Sequence, residues 1–477
     1  MNQPLVGHQR ALNPIHRARA IVTLVLIALL GSISGGCRGK PVAGEPRSRE
    51  SLETVQQMYR PEGRKPDLAV LHAGSGLDEY LLFAMLNNPS VEASYYDWAA
   101  SVERITTARS LPDPRLTFES DIADSIMTLM PGLMVDFPGP GKLKAAGGVA
   151  VAESSAAYFT FEQEVLSTAN AVKTAYYRLS FLEQRLVIEH QTRQLLENLE
   201  ELARQQNATG KVTLQDVLRA QIERERLQTA IENLEDSRGT LVAELKAALG
   251  LQVSDADPPI PQTFEQSGGE PDADQIWQLA LDRNPAVQRM RAEVTQAQAS
   301  IELARKSGVP DFSLGIEADV KASPVMVRPS ASMSLPIWRD KIAAEIAAAQ
   351  ARKSSAEARL NAEQISLATE LATMLYVYRE SRRAIALYGD RIIPKANQSL
   401  EAARTGYVSG KSDFLDVIDA QRSVLDSELA LIEARTQREL ALSALSLLIA
   451  GTPPAGAPLL PRDSAVPSTR SSERESS

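Results

Sequence analysis

The chain has 477 residues, of which 44% are hydrophobic and only 5% aromatic, and it carries a formal net charge of −9. That length supports a large core and more than one structural unit, while stretches dominated by Ala, Glu, Arg, Leu and Gln suit long, closely packed helices. The acidic balance, with a pI near 5.3, excludes nucleic acid as a partner because no basic stripe exists to neutralise phosphates, and no run of about 20 apolar residues is present to form a membrane-spanning helix.

Residues 1–36 have the layout of an export signal. His16, Arg17 and Arg19 form a basic flank, residues 21–30 are apolar, and Gly31-Ser-Ile-Ser-Gly-Gly leads to Cys37. A basic region, a short apolar region and small residues before a cleavage point describe that signal. Cys37 is the only cysteine, so no internal disulfide can form. Its setting resembles the lipobox of bacterial lipoproteins, with Ser34 where leucine is usual. The resemblance implies that Cys37 is lipidated and becomes the mature N-terminus, ordinary signal cleavage being the alternative. Residues 37–74, Pro-rich over 41–67, read as a lipidated N-terminal linker.

The remainder is one unit written twice, over 75–255 and 270–450. GKVTLQDVLRAQ (210–221) recurs as GKSDFLDVIDAQ (410–421), LLFAMLNNPSV (81–91) as IWQLALDRNPAV (276–287), and ARSLPDPRLTF (108–118) as ARKSGVPDFSL (304–314). VDFP (135–138) likewise recurs as MSLP (333–336). The period near 200 residues is far longer than a solenoid repeat, so this is a duplicated domain. In each half a short apolar helix ends at Asn88 or Asn284, and Pro89 or Pro285 opens the next, since Asn is a good N-cap and Pro suits the first helical position. Pro112 and Pro114, or Gly308 and Pro310, stop that helix. Two extended segments follow, over about 115–137 and 311–337. Then comes a helix from Gly141 to Gln206, roughly 100 Å long at 1.5 Å per residue, or from Lys341 to Thr405 with Pro394 as a local kink. Turns centred on Gly210 and Gly410 reverse the chain into Leu214 to Leu249 and Phe414 to Ile449. Residues 453–477, rich in Pro, Ser, Arg and Glu, read as a disordered tail.

The extended segments alternate. Leu116, Phe118 and Ile122 oppose Arg115, Thr117, Glu119 and Asp121. Phe312, Leu314, Ile316, Ala318 and Val320 oppose Ser313, Glu317 and Asp319. Val325, Val327, Ala331, Met333 and Leu335 oppose Arg328, Ser330, Ser332 and Ser334. Strands of about 9–11 residues with one apolar face fit the wall of a transmembrane barrel. An ordinary half-buried sheet alternates too, but four strands joined to such long helices have little core to cover. Four strands cannot close, and open edges are not viable in lipid, so the chain must oligomerise; three copies supply about 12 strands.

This doubled order of helix, Asn-Pro helix, β-hairpin, long helix, G-x-x-x-x-x-D-V-x-x-A turn and long helix resembles the TolC family of outer-membrane efflux proteins, over roughly 75–450. The resemblance implies a mainly α fold with membrane β: a homotrimer with a shared β-barrel and a periplasmic helical tunnel. It also implies a periplasmic adaptor and an inner-membrane pump, of RND type in one branch, as partners. It carries Asp416 and Asp419 onto a constriction ring at the periplasmic tip, and Tyr407 with Asp216 onto a contact between neighbouring helices. Ser412 stands where the family has arginine. Asp216 and Asp416 also follow Thr213 and Asp413 by three residues, the spacing of a helix cap. Strand parity assigns Glu119, Asp121, Glu317 and Asp319 to the barrel lumen, with Met130, Met134 and Met326 on the same parity. DFPGPGKLKAAG (136–147) resembles a P-x-PGKL segment of heavy-metal efflux partners within the family. Organic toxic compounds or type I secreted proteins are the alternative substrates, and a periplasmic adaptor or coiled-coil scaffold the alternative class. No phosphate loop, nucleophile elbow or catalytic triad pattern is present. With two histidines and no thiol after Cys37, neither a metal site nor a cofactor site is assembled in the mature sequence.

Overall fold

The computed structural model describes residues 40–121, 128–261, 264, 266 and 273–449. The export segment 1–36, Cys37, Ile122 and the tail 453–477 lie outside them. The chain divides into two units, the first described only over residues 40–43 and the second spanning 44–477.

The first departure from the sequence reading is a helix, α1, over Glu45–Tyr59 within the segment read as a linker. Its prolines flank the helix instead of interrupting it, and Pro46 sits in the first turn, where a missing N–H costs nothing. Val55 and Tyr59 pack into a cluster with Tyr95, Trp98 and Phe161. Trp98 stacks on Phe161 with ring centroids 5.7 Å apart. Buried Glu45 Oε1 accepts from Arg109 Nη2 at 3.0 Å, tying the start of α1 to the end of a helix in the first repeat.

Each repeat then unfolds as its punctuation predicts. Helix α2 (Leu77–Asn87) gives way to α3 (Pro89–Arg109). Strands β1 (Arg115–Glu119) and β2 (Met130–Phe137) follow, then α4 (Lys142–Ala208) and its return α5 (Leu214–Ala248). The second repeat supplies α6 (Ala273–Arg283), α7 (Pro285–Arg305), β3 (Phe312–Asp319) and β4 (Met326–Met333). It continues with α8 (Arg339–Leu387), α9 (Ile393–Val408) and α10 (Phe414–Leu448). Helix α4 touches α3, α5, α7 and α10, and α8 touches α7 and α10, so the repeats share one helical packing.

The Asn-Pro steps do more than cap. Asn88 Oδ1 accepts from Ser90 N at 2.9 Å and Asn284 Oδ1 from Val287 N at 3.1 Å. Each amide also donates, Asn88 Nδ2 to Ala248 O and Asn284 Nδ2 to Leu448 O, both at 3.1 Å. The acceptors are carbonyls at the ends of α5 and α10, groups that a helix leaves unpaired. One buried side chain therefore starts one helix and finishes another, twice.

The predicted kink at Pro394 is resolved as a π-helical turn over Tyr388–Ile392 between α8 and α9. Proline removes one backbone donor and clashes with the carbonyl four residues earlier. Burial shows what the turn accomplishes. Before it, Leu371 buries as Val172 does, 199 residues earlier; after it, Ala396 buries as Leu196 does, 200 residues earlier. The second repeat has gained one residue, and the wider turn absorbs it without rotating the buried face.

The four strands form one antiparallel sheet in the order β1-β2-β3-β4. Besides the two hairpins, β2 pairs with β3 across the repeats, with Phe137 opposite Phe312 and Leu133 opposite Ile316. β1 and β4 are the sheet's outer strands.

Candidate functional site

Two regions gather the residues singled out above: the strand faces and the helical turns. On the sheet, Leu116 and Phe118 lie opposite Leu133 and Pro131, Leu133 opposite Ile316, and Ile316 opposite Pro329, so one face is apolar throughout. It is uncovered: Phe118 is 70% and Leu314 55% exposed, and Ile337 and Trp338 extend the exposed apolar surface just beyond β4. Among the described residues no helix is long and apolar enough to cross a membrane. The opposite face carries Arg115, Thr117, Glu119, Asp136, Ser313, Glu317 and Arg328. Met130, Met134 and Met326 share it, opposite Glu119, Arg115 and Asp319.

The four acids assigned to that face have different surroundings. Glu119 is exposed at the end of β1, and Glu317 stands between Gly132 and Arg328. A methyl group at Gly132 would lie 2.5 Å from Glu317 Cγ and 2.6 Å from Thr117 Oγ1, so both side chains lean across the glycine. Asp121 accepts from Thr128 Oγ1 at 3.1 Å beyond the strand. Asp319 is buried and accepts backbone N–H groups from Lys321 and Ala322 at 3.0 and 3.3 Å. Its carboxylate holds the β3–β4 turn.

The PGPGKL segment is a fastening between strands and helices. Asp311, just before β3, accepts from Gly139 N at 2.7 Å and from Lys142 Nζ at 2.7 and 2.8 Å. A side chain at Gly139 would meet Pro310 O at 2.4 Å. The close approach requires that glycine, and the lysine neutralises the acid it meets.

At the far end of the helices, the turns at Gly210 (φ 72°) and Gly410 (φ 74°) need the left-handed backbone that glycine adopts freely. Both following helices begin with a capping box. Asp216 Oδ2 accepts from Thr213 N at 3.1 Å, and Asp416 Oδ2 from Asp413 N at 3.1 Å. Asp419, one turn deeper, is exposed and lies 3.8 Å from Arg422. Arg422 Nε in turn donates to Glu223 Oε2 of the first repeat at 3.2 Å, a link that sequence reasoning missed because its partners stand 199 residues apart. Tyr407 is buried against Phe414, with ring centroids 5.3 Å apart. Its hydroxyl has no hydrogen-bond partner among the described residues. Burial first, and the nearby Asp216 carboxylate second, push the Tyr407 phenol up to about 12. Within one chain the two residues are thus neighbours without a hydrogen bond. Ser412, where an arginine was expected, packs on Gly406, whose Cβ would stand 2.2 Å from Ser412 Oγ.

Residues 84–251 and 276–451 match the family model described as outer membrane efflux protein. The cobalt-zinc-cadmium resistance protein CzcC of Cupriavidus metallidurans is 24% identical over 362 residues, spanning 74% of this chain and 84% of CzcC. Among solved structures, the outer membrane protein VceC of Vibrio cholerae aligns with a TM-score of 0.66 at 19% identity, over 78% of this chain and 96% of VceC. CusC, whose structures describe folding and transmembrane channel formation, aligns with a TM-score of 0.69 at 17% identity, over 80% of this chain and 93% of CusC.

Proposed function

The chain belongs to the outer membrane efflux protein family, and from that membership we propose that three copies form a passive exit duct that performs no chemistry. The observation that carries this reading is the sheet: one exposed apolar face, one polar face and two outer strands. Such a sheet is viable in lipid only when closed by other copies. Three copies bring about 12 strands around a polar lumen, and the helices continue the duct into the periplasm. A periplasmic adaptor and an inner-membrane pump, of RND type in the heavy-metal branch, deliver the substrate. Lipidation of Cys37 adds an anchor far weaker than the barrel itself.

The cargo of this reading is heavy-metal cations. Similarity to CzcC and the PGPGKL segment support it, while the lumen-side methionines offer soft but scattered donors. Deleting the gene should sensitise the host to one or more of cobalt, zinc, cadmium, copper and silver, with drug tolerance unchanged. Sensitivity to drugs alone would replace metals by organic compounds as the cargo.

Asp419 is the proposed constriction residue, with Asp416 assisting from its cap. In planar bilayers, Asp419→Ala should weaken block by hexaamminecobalt added on the periplasmic side. Asp416→Ala should chiefly cost about 1 kcal/mol of stability. Unchanged block in the double variant would remove both residues from the constriction.

A further inference from the structure

The duplication makes one prediction about how copies meet. On α10, Phe414 and Ile418 are 2% and 3% exposed, packed in a cluster that includes Ala203, Val217 and Ala220 of the first repeat. Their equivalents 200 residues earlier on α5 are Leu214 and Leu218, which are 62% and 48% exposed. One turn further on, Arg422 is matched by Ile222, 51% exposed. The two helices begin with the same capping box, so the correspondence has no slippage. Spacing of four residues places Leu214, Leu218 and Ile222 on one helical face.

That face is built like a buried one, and the repeat shows what covers it. Arg422 reaches Glu223 across the seam between the repeats, so position 422 faces the first repeat and position 223 faces the second. By the same geometry Ile222 looks out of the chain on one side, and Ser423, the equivalent of Glu223, looks out on the other. A surface on one side that fits a surface on the opposite side makes a head-to-tail contact, which closes into a ring when the rotation between copies divides a full turn. We propose that Leu214, Leu218 and Ile222 of one copy seat on α9 and α10 of the next, with Ile222 beside Ser423 of that copy. This seam between copies is apolar, whereas the equivalent seam within a chain is latched by Arg422 and Glu223.

The inference rests on the ring of copies described above, and its test separates the two. The full-length chain carrying Ile222→Cys and Ser423→Cys, in native membranes, is treated with a short bismaleimide. Both positions are exposed, so the substitutions leave the packing within a chain intact. A ladder of covalent dimer and trimer, absent from either single variant, is expected. Adding Leu218→Glu should lower the cross-linked yield several-fold. If native mass shows a trimer but the double-cysteine chain stays monomeric, or if Leu218→Glu leaves the yield unchanged, the assigned contact is overturned and the ring stands. A wild-type chain that is itself monomeric by native mass overturns the ring and the contact with it.

Discussion

An arginine at Ile316 should cost about 2–4 kcal/mol of folding into a bilayer, the penalty for that side chain on a lipid-facing strand near mid-membrane. Ile316 sits in the middle of β3, 47% exposed, between Leu133 and Pro329 on the neighbouring strands. An arginine there has no acidic neighbour on its own face and must carry its charge into hydrocarbon or distort the wall. Ser332→Arg is the matched control. Ser332 pairs with Ser313, whose Oγ donates to Asp136 Oδ1 at 2.6 Å, so an arginine at 332 would face water and a carboxylate. Its cost should stay below about 1 kcal/mol. The readout is the fraction of chain inserted into lipid vesicles across a urea series. Equal penalties at both sites would mean that the sheet has no lipid-facing side, and the barrel reading would fail with it.

Valine at Gly250 should destabilise the protein by about 3 kcal/mol or more. Gly250 has φ 72° and follows the end of α5, where its N–H and that of Leu251 bond back to Ala247 O and Lys246 O, both at 3.0 Å. A Cβ there would stand 2.6 Å from Asn88 Cα and 2.9 Å from Pro89 Cδ. Those atoms belong to backbone and ring, so they cannot swing aside as a flexible side chain would. The same junction holds the Asn88 amide on Ala248 O and the Asn87 amide on Leu249 O at 2.8 Å, and a displaced α5 end would break both. Gly239→Ala makes the opposite case. Gly239 lies inside α5 with nothing within 4 Å of its missing Cβ, and alanine should stabilise the helix by about 0.5–1 kcal/mol. Thermal unfolding followed by circular dichroism gives both signs. A Gly250→Val protein with an unchanged midpoint would mean that this junction bears little of the stability.

Much of this protein is legible without coordinates because its signals are local and stated twice. Asn88-Pro89 and Asn284-Pro285 announce helix starts through the cap and a preset φ, which depend only on adjacent residues. The capping boxes at Thr213 and Asp413, the turn glycines and the period-2 strands are equally short-range. Seeing each in the same order in both halves turns weak local preferences into a specific fold. What the neighbours along the chain cannot encode is which distant groups meet. The β2–β3 pairing, the grip of Asn88 and Asn284 on the ends of α5 and α10, and the Arg422–Glu223 latch join residues 160 or more positions apart. They arise only once the long helices have set the strands and turns at a common level. The helix at Glu45–Tyr59 was hidden for a related reason: its stability comes from burying Val55 and Tyr59 on Trp98 and Phe161, so composition alone reads it as a linker. Asp319 shows the limit from the other side. Its parity is that of a lumen residue, but the backbone N–H groups of Lys321 and Ala322 claim its carboxylate, because a buried polar group needs hydrogen-bond partners.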